Sequence, residues 1–384
     1  MRIILLNDSF PPLIDGVANA VTNYAEILTD VFHDEVVVAT PRYPNVDYDK
    51  YPYRVLAYQS LNTSRMTAGY RTGNAFSPEA LLELRKFKPD IIHAHCPFSS
   101  LMMGRHVRYL TGAPLVFTYH TKFDVDIARA VKLKRIQSTV INTMINTISI
   151  SDEVWTVSRG AGENLRSLGF KGDYKVISNG VDYEKGEADS ELVEAVTGSY
   201  DLPDDIPVYV FVGRILNYKG LPLILDALNM LNQKDKDFRM VFVGDGPDLK
   251  KLKQTVSDYN LDSKIFFTGR IEDREILKAW YTRADLFLFP STYDTNGIVV
   301  REAAACGVAS VLIEGSCAAE GVTDRQNGYL IEENADSLAK LLLEIGEDKK
   351  QMRLLGKNAM NELYISWKDA VSIARENYLR IING

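Results

Sequence analysis

Eleven short runs of apolar, largely β-branched residues recur along this chain with helix-like stretches between them, and that alternation limits the fold more than any other feature. Candidate strands fall at 2–6, 35–39, 90–94, 115–118, 153–157, 175–177, 208–212, 239–243, 265–268, 285–289 and 309–313. The stretches between them carry apolar residues at helical spacing, as Val17, Val21, Tyr24 and Leu28 do. Strand, helix and strand in repeated succession close most simply as a parallel sheet with helices on both faces. The expected class is α/β, doubly wound.

The strands form two series. The break follows Asn179, Gly180, Val181 and Asp182, where a polar, acidic segment runs to Pro207 and reads as hinge and linker. Length agrees, because 384 residues exceed what one core usually supports. A hydrophobic content of 46% with 25% charged residues is that of a globular protein with a sizeable core. Residues 1–7 (MRIILLN) read as a first strand, since Asp8 and Pro11 interrupt the apolar run before it could serve as a signal-peptide core. No apolar run approaches the roughly 18 residues of a spanning helix. Cys96, Cys306 and Cys317 are odd in number and sit among apolar or small residues, which fits reduced thiols. The expected location is cytoplasmic, with peripheral attachment at the inner face of the cell membrane as an open alternative.

The richest stretch chemically is 290–307, PSTYDTNGIVVREAAACG. A strand-like run precedes it, and from Ile298 onward it suits a short, Ala-rich helix opened by Gly297. Unsatisfied N–H groups of Ile298 and Val299 and the positive end of the helix dipole favour an anion there, and Gly297 allows close approach. Asp294 lies in the loop before the helix, and Glu302 is four residues past Ile298, on the same face. A pair of carboxylates so spaced is commonplace as solvated charge. A second element adds weight: the strand Val208–Val212 runs into Gly213, Arg214 and Lys219, at the kind of strand-to-helix turn where open sheets bind ligands. Arg supplies a forked donor and Lys a mobile point charge, which together suit a diphosphate; ordinary surface capping is the alternative.

In order and spacing, these motifs resemble those of the retaining glycosyltransferases of family 4, which have the GT-B architecture of two Rossmann-like domains facing a cleft. The resemblance runs from FPPLIDGVANAV through PDIIHAHCPF, FTYHT, SNGVD, GRILNYKG, VGDGP and the 290–307 stretch to NGYLI. It implies an acceptor-binding domain over 1–182, a donor-binding domain over 183–366, and a final helix, 367–384, that returns to the first domain. It implies catalytic roles for Arg214, Lys219, His120 and Asp294. Donor contacts would come from Gly16, Gly213, Gly244, Gly246, Arg270, Asn296, Gly297, Ile298, Val299 and Glu302, with Asp294 on sugar hydroxyls and Glu302 on the ribose. Asp15, Lys122 and Asp124 would touch the acceptor. The chain departs from the family where a Glu is usual at position 294, and where Thr295, Asn296 and Gly297 replace Gly-Phe-Gly. The implied reaction is retaining hexosyl transfer from a nucleotide-diphosphate sugar, UDP-linked ahead of GDP-linked, with no metal ion or other cofactor.

VGDGPD at 243–248 lacks the third glycine of a dinucleotide fingerprint, so it is poor evidence for NAD. His93, His95 and His106 lie near Cys96 in sequence, but their spacing matches no standard zinc site. Residues 1–180 hold 20 Lys and Arg against 17 Asp and Glu, a net +3, while the remainder holds 24 against 34, a net −10. The basic half gathers Lys122, Arg129, Lys132, Lys134 and Arg135 in a stretch, 122–136, that reads as a basic amphipathic helix able to rest on an anionic membrane surface, or as a plain solvated face. With that helix, the resemblance leans towards members that glycosylate diacylglycerol or related lipids. Polysaccharide or small-molecule acceptors, an epimerase or hydrolase on the same fold, and a silent sugar-nucleotide-binding subunit are the alternatives. The acidic balance of the whole chain and the lack of a recognition motif argue against nucleic acid.

Overall fold

The computed structural model describes residues 1–13, 15–63, 71–124, 127, 133–294 and 297–384. They form two compact units, Met1–Gly180 with Trp367–Gly384, and Val181–Ser366.

In the first unit the order is β1 (Arg2–Leu6), α1 (Gly16–Asp30), β2 (Glu35–Pro41), β3 (Arg54–Tyr58), a small antiparallel pair β4 (Ser60–Leu61) and β5 (Thr72–Gly73), α2 (Pro78–Phe87), β6 (Ile91–Ala94), α3 (Ser99–Thr111), β7 (Leu115–Tyr119), α4 (Lys134–Ile148), β8 (Glu153–Thr156), α5 (Arg159–Ser167) and β9 (Lys175–Val176). Seven strands make one parallel sheet, ordered β3-β2-β1-β6-β7-β8-β9. The direction of winding reverses between β1 and β6, which leaves a crevice at the carboxyl ends of those two strands.

The second unit runs α6 (Ser190–Thr197), β10 (Val208–Val212), α7 (Leu221–Asn232), β11 (Arg239–Val243), α8 (Leu249–Asp258), β12 (Ile265–Gly269), α9 (Arg274–Arg283), β13 (Leu286–Leu288), α10 (Ile298–Ala305), β14 (Ala309–Ile313), β15 (Tyr329–Ile331), α11 (Ala335–Ile345) and α12 (Lys349–Glu362). Its parallel sheet is ordered β12-β11-β10-β13-β14-β15, with the reversal between β10 and β13. β10, β11, β13 and β14 are buried along their whole length, which is why they read as unbroken apolar runs rather than as alternating ones. Arg239 is buried at the start of β11 because Asp201 and Asp237 take its guanidinium at 2.7 and 2.8 Å.

α13 (Trp367–Asn383) belongs to the first unit. Tyr378 stacks on Trp155 with ring centres 5.3 Å apart, Trp367 meets the edge of Tyr24, and Arg375 Nε lies 2.7 Å from Asp34 Oδ2. The amino group of Met1 takes the other oxygen of Asp34 at 2.7 Å. Each aromatic buried in this way contributes about 1.5–3 kcal/mol. Among the described residues no helix is long and apolar enough to cross a membrane.

Candidate functional site

In the second unit, two turns at the reversal point bring Lys219 and Asp294 together. β10 ends in Gly213, whose N–H bonds to Val243 O at 3.0 Å, and Ile215 N–H bonds to Asp245 O at 3.0 Å, so this turn is pressed against the turn after β11. The fit is tight enough that a Cβ on Gly244, which has φ 141°, would fall 2.0 Å from Gly213 O. A Cβ on Gly246 would fall 2.2 Å from Ile215 O. Gly244 and Gly246 thus have a packing reason to be glycine, since they let the two backbones touch, whereas Gly213 has a conformational one, its φ of 148°.

That contact aims the rest of the turn at the loop before α10. Lys219 Nζ lies 3.4 Å from Asp294 Oδ1 and 5.3 Å from the centre of the Phe289 ring. Ser291 Oγ donates to Asp294 Oδ2 at 2.9 Å. Tyr218 and Tyr293, the neighbours of Lys219 and Asp294, face each other with ring centres 4.6 Å apart. Gly297 opens α10 in the left-handed region, at φ 56°, and no side chain caps the helix among the described residues. Arg214 is exposed and makes no ion pair among them. The site therefore offers a cation paired with a carboxylate in the loop before an uncapped helix start, with Arg214 exposed in the same turn as Lys219, an arrangement that suits an anion. Arg270 is exposed and pairs with Glu272 at 3.0 Å. Asn296 lies outside the described residues.

Glu302 is only 4% exposed, and its carboxylate meets α9: Arg274 Nη1 lies 3.0 Å from Oε1, and Tyr281 Oη donates to Oε2 at 3.2 Å. Burial pushes this carboxyl above the usual range, and the Arg274 charge opposes that push.

In the first unit, the carboxyl ends of β1, β6 and β7 hold a buried polar cluster. His120 Nε2 lies 2.9 Å from His95 Nδ1 with the rings stacked, and His93 is held by Thr118 Oγ1 at 2.7 Å and by the Tyr378 hydroxyl. Burial holds all three imidazoles below the ordinary range, His120 at about 4, so each is neutral at pH 7. His106 is not part of the cluster, since it bonds Met102 O within α3. Asp15 is the N-cap of α1: Oδ1 accepts from Val17 and Ala18 N–H, and Oδ2 from Ser9. Among the described residues nothing would lie within 4 Å of a Cβ on Gly16. Asp124 accepts from Asn164 Nδ2 at 3.4 Å, and Lys122 is half-buried. Of the basic stretch, Arg129 and Lys132 lie outside the described residues, while Leu133, Lys134, Arg135 and Ile136 are exposed at the start of α4.

Two family models match the chain, Glycosyltransferase Family 4 over residues 14–185 and Glycosyl transferases group 1 over residues 194–362, and together they take in well over half of it. The chain belongs to glycosyltransferase family 4. Among its relatives, alpha-monoglucosyldiacylglycerol synthase of Acholeplasma laidlawii is 25% identical over 94% of this chain and 92% of that protein. The alpha-monoglucosyldiacylglycerol synthase of Streptococcus pneumoniae is 24% identical over 98% of this chain and 83% of that one. Anabaena HepE, solved in complex with UDP, superposes with a TM-score of 0.77 at 18% identity, over 98% of this chain and 99% of its own. That likeness shows the fold, GT-B.

Three residues of this family 4 glycosyltransferase escaped the motif reading. Ser291 holds Asp294, and Arg274 and Tyr281 hold Glu302. A fourth, Asp8 after β1, is buried at the sheet reversal, accepts from Ser100 N–H at 2.9 Å, and is pushed up by burial to about 6. A carboxylate directly after the first strand was a signal for Asp8; nothing local marks Arg274, which lies 28 residues from Glu302.

Proposed function

We propose that this glycosyltransferase moves a hexose, with retention of configuration and without a metal ion, from a nucleoside-diphosphate sugar to a hydroxyl of a membrane lipid such as diacylglycerol or glycosyl-diacylglycerol. The observation that carries the reading is the pairing of Lys219 with Asp294 in the loop before the uncapped start of α10, with Arg214 exposed in the same turn as Lys219. The diphosphate lies against that helix start, and Arg214 and Lys219 offset the charge that grows on it as the glycosidic bond breaks. Asp294, held by Ser291, takes sugar hydroxyls, and Glu302 takes the ribose. The neutral His120 hydrogen-bonds the sugar rather than charging it. The acceptor hydroxyl attacks the face the diphosphate leaves, its proton passes to the departing phosphate oxygen, and the products are the glycoside and the nucleoside diphosphate.

A UDP-sugar is favoured over a GDP-sugar. The UDP complex of HepE supports the base and the two diacylglycerol glucosyltransferase relatives support the acceptor. Leu133 and Ile136, exposed at 65% and 47% beside Lys134 and Arg135, fit attachment to an anionic surface. The test is a thermal-shift screen of UDP, GDP, ADP and their hexose conjugates against the protein and its Arg214→Ala variant. A rise in melting temperature with one series, lost in the variant, is expected; no rise with any nucleotide overturns the donor reading. A product of inverted configuration overturns the mechanism.

A further inference from the structure

One guanidinium in the second unit serves two carboxylates. Arg274 Nη1 lies 3.0 Å from Glu302 Oε1, and Nη2 lies 3.0 Å from Asp182 Oδ2. Asp182 belongs to the segment by which the chain enters this unit. That segment is pinned along α9 and α10 and by the chain after α12: Gly186 N–H bonds to Ala305 O at 2.9 Å, Ala188 N–H to Thr282 Oγ1 at 2.9 Å, and Tyr364 Oη to Tyr183 O at 3.1 Å. The Tyr183 ring lies 5.8 Å from the guanidinium and 6.3 Å from the Tyr281 ring. Arg274 is thus fixed from three sides, and its position is set by the fold rather than by Glu302 alone.

A carboxylate accepts at about four lone-pair positions. Arg274 and Tyr281 use one on each oxygen of Glu302, which leaves one on each for further donors, as the two hydroxyls of a ribose would be. A buried carboxylate accepts such bonds well only while it is an anion, and it stays an anion only while a cation is beside it. The charged and titratable groups facing Glu302 are Arg274 and Tyr281 from α9, Asp182 and Tyr183 from the entry segment, and Cys306 at the end of its own helix. Lys278 and Glu275, farther along α9, act on Cys306; Arg274 is the cation in contact with the Glu302 carboxylate, and Asp182 competes for it.

We propose that Arg274 is a positioning residue of the donor site, which fixes the Glu302 carboxylate for the ribose hydroxyls, and that Asp182 moderates this grip by sharing the same guanidinium. The proposal rests on Glu302 as the ribose ligand. The experiment titrates UDP, GDP and their 2′-deoxy counterparts calorimetrically against the full chain and the Arg274→Met, Arg274→Lys and Asp182→Asn variants, between pH 5.5 and 9. The wild type prefers the ribonucleotide. Arg274→Met weakens ribonucleotide binding about tenfold or more at pH 7 and loses most of the ribose preference, because one charge-assisted hydrogen bond and its partner's charge are gone. Its binding recovers as pH rises, since an unpartnered Glu302 ionises later. Arg274→Lys restores part of the preference, and Asp182→Asn moves the acid limb of binding to lower pH. A ribose preference and a pH limb unchanged in Arg274→Met overturn the proposal. If that variant does not fold, an unchanged acid limb in Asp182→Asn does so. A wild type without ribose preference overturns the reading of Glu302 itself, and the proposal with it.

Discussion

Lys219 Nζ stands 3.4 Å from Asp294 Oδ1, and through that ion pair the turn after β10 holds the loop before α10. Ser291 secures the other oxygen of the same carboxylate. Asp is one methylene shorter than the Glu usual in the family, and here it is held between a cation and a hydroxyl. Lys219→Ala is expected to lower kcat/KM by about 10²–10³, the cost of removing a preorganised charge from a site of developing negative charge. Steady-state kinetics at saturating acceptor measure it, and near-normal turnover would remove Lys219 from the mechanism.

The glycines of the two units should part company on mutation. Gly244→Ala places a Cβ 2.0 Å from Gly213 O at φ 141°, so the fold loses stability by at least the roughly 1–3 kcal/mol of such a backbone conformation. Gly16→Ala meets nothing within 4 Å among the described residues and starts a helix with a better helix former. Its melting temperature should hold or rise, and a fall in turnover alone would show that a ligand comes close to that helix start. Thermal melts of both variants beside an activity assay decide the matter.

Acid should loosen the first unit. His93, His95 and His120 are held below the ordinary histidine value of about 6.5, His120 at about 4, so below pH 6.5 the unfolded chain binds protons that the folded chain refuses. Stability then falls with pH, by up to about 1.4 kcal/mol per pH unit for each histidine. Asp8 works the other way: its carboxyl is raised to about 6, so the folded chain binds the extra proton between about 4 and 6. Three groups outweigh one, and the melting temperature should drop between pH 6.5 and 4.5. A flat profile would show that the histidines are charged in the fold.

Chelation should leave transfer unchanged. On the proposed reading, Arg214 and Lys219 offset the charge of the diphosphate without a metal ion. Loss of activity in EDTA, restored by a divalent cation, would contradict this.

Strands buried on both faces were readable because they are nearly all apolar, and the buried polar residues in them, such as His93 and Arg239, are held by partners. All eleven expected strands exist, some a residue or two shorter, as β13 is at Leu286–Leu288. β3, β4, β5 and β15 were not expected. β3 is an edge strand that carries Arg54 and is partly exposed, so its pattern is weaker, and the others are only two or three residues long. The basic stretch was read as one helix over 122–136; residues 125–126 and 128–132 lie outside the described residues, 123, 124 and 127 are helical, and the extended Leu133 separates them from α4, which begins at Lys134.

By itself the sequence determined the class of fold and marked two loop ends as a candidate site, because apolar periodicity and glycine-opened helix starts are local. Tertiary structure decided what each polar side chain meets. Asp15 caps its own helix, His120 rests on His95, and Glu302 finds Arg274 and, through it, Asp182. Asp15 meets its partners two and three residues on, but those of His120 and Glu302 lie 25 and 28 residues away and are joined only by the stacking of strands and helices. A buried charge must find its counter-charge wherever packing puts one, and spacing along the chain does not record that.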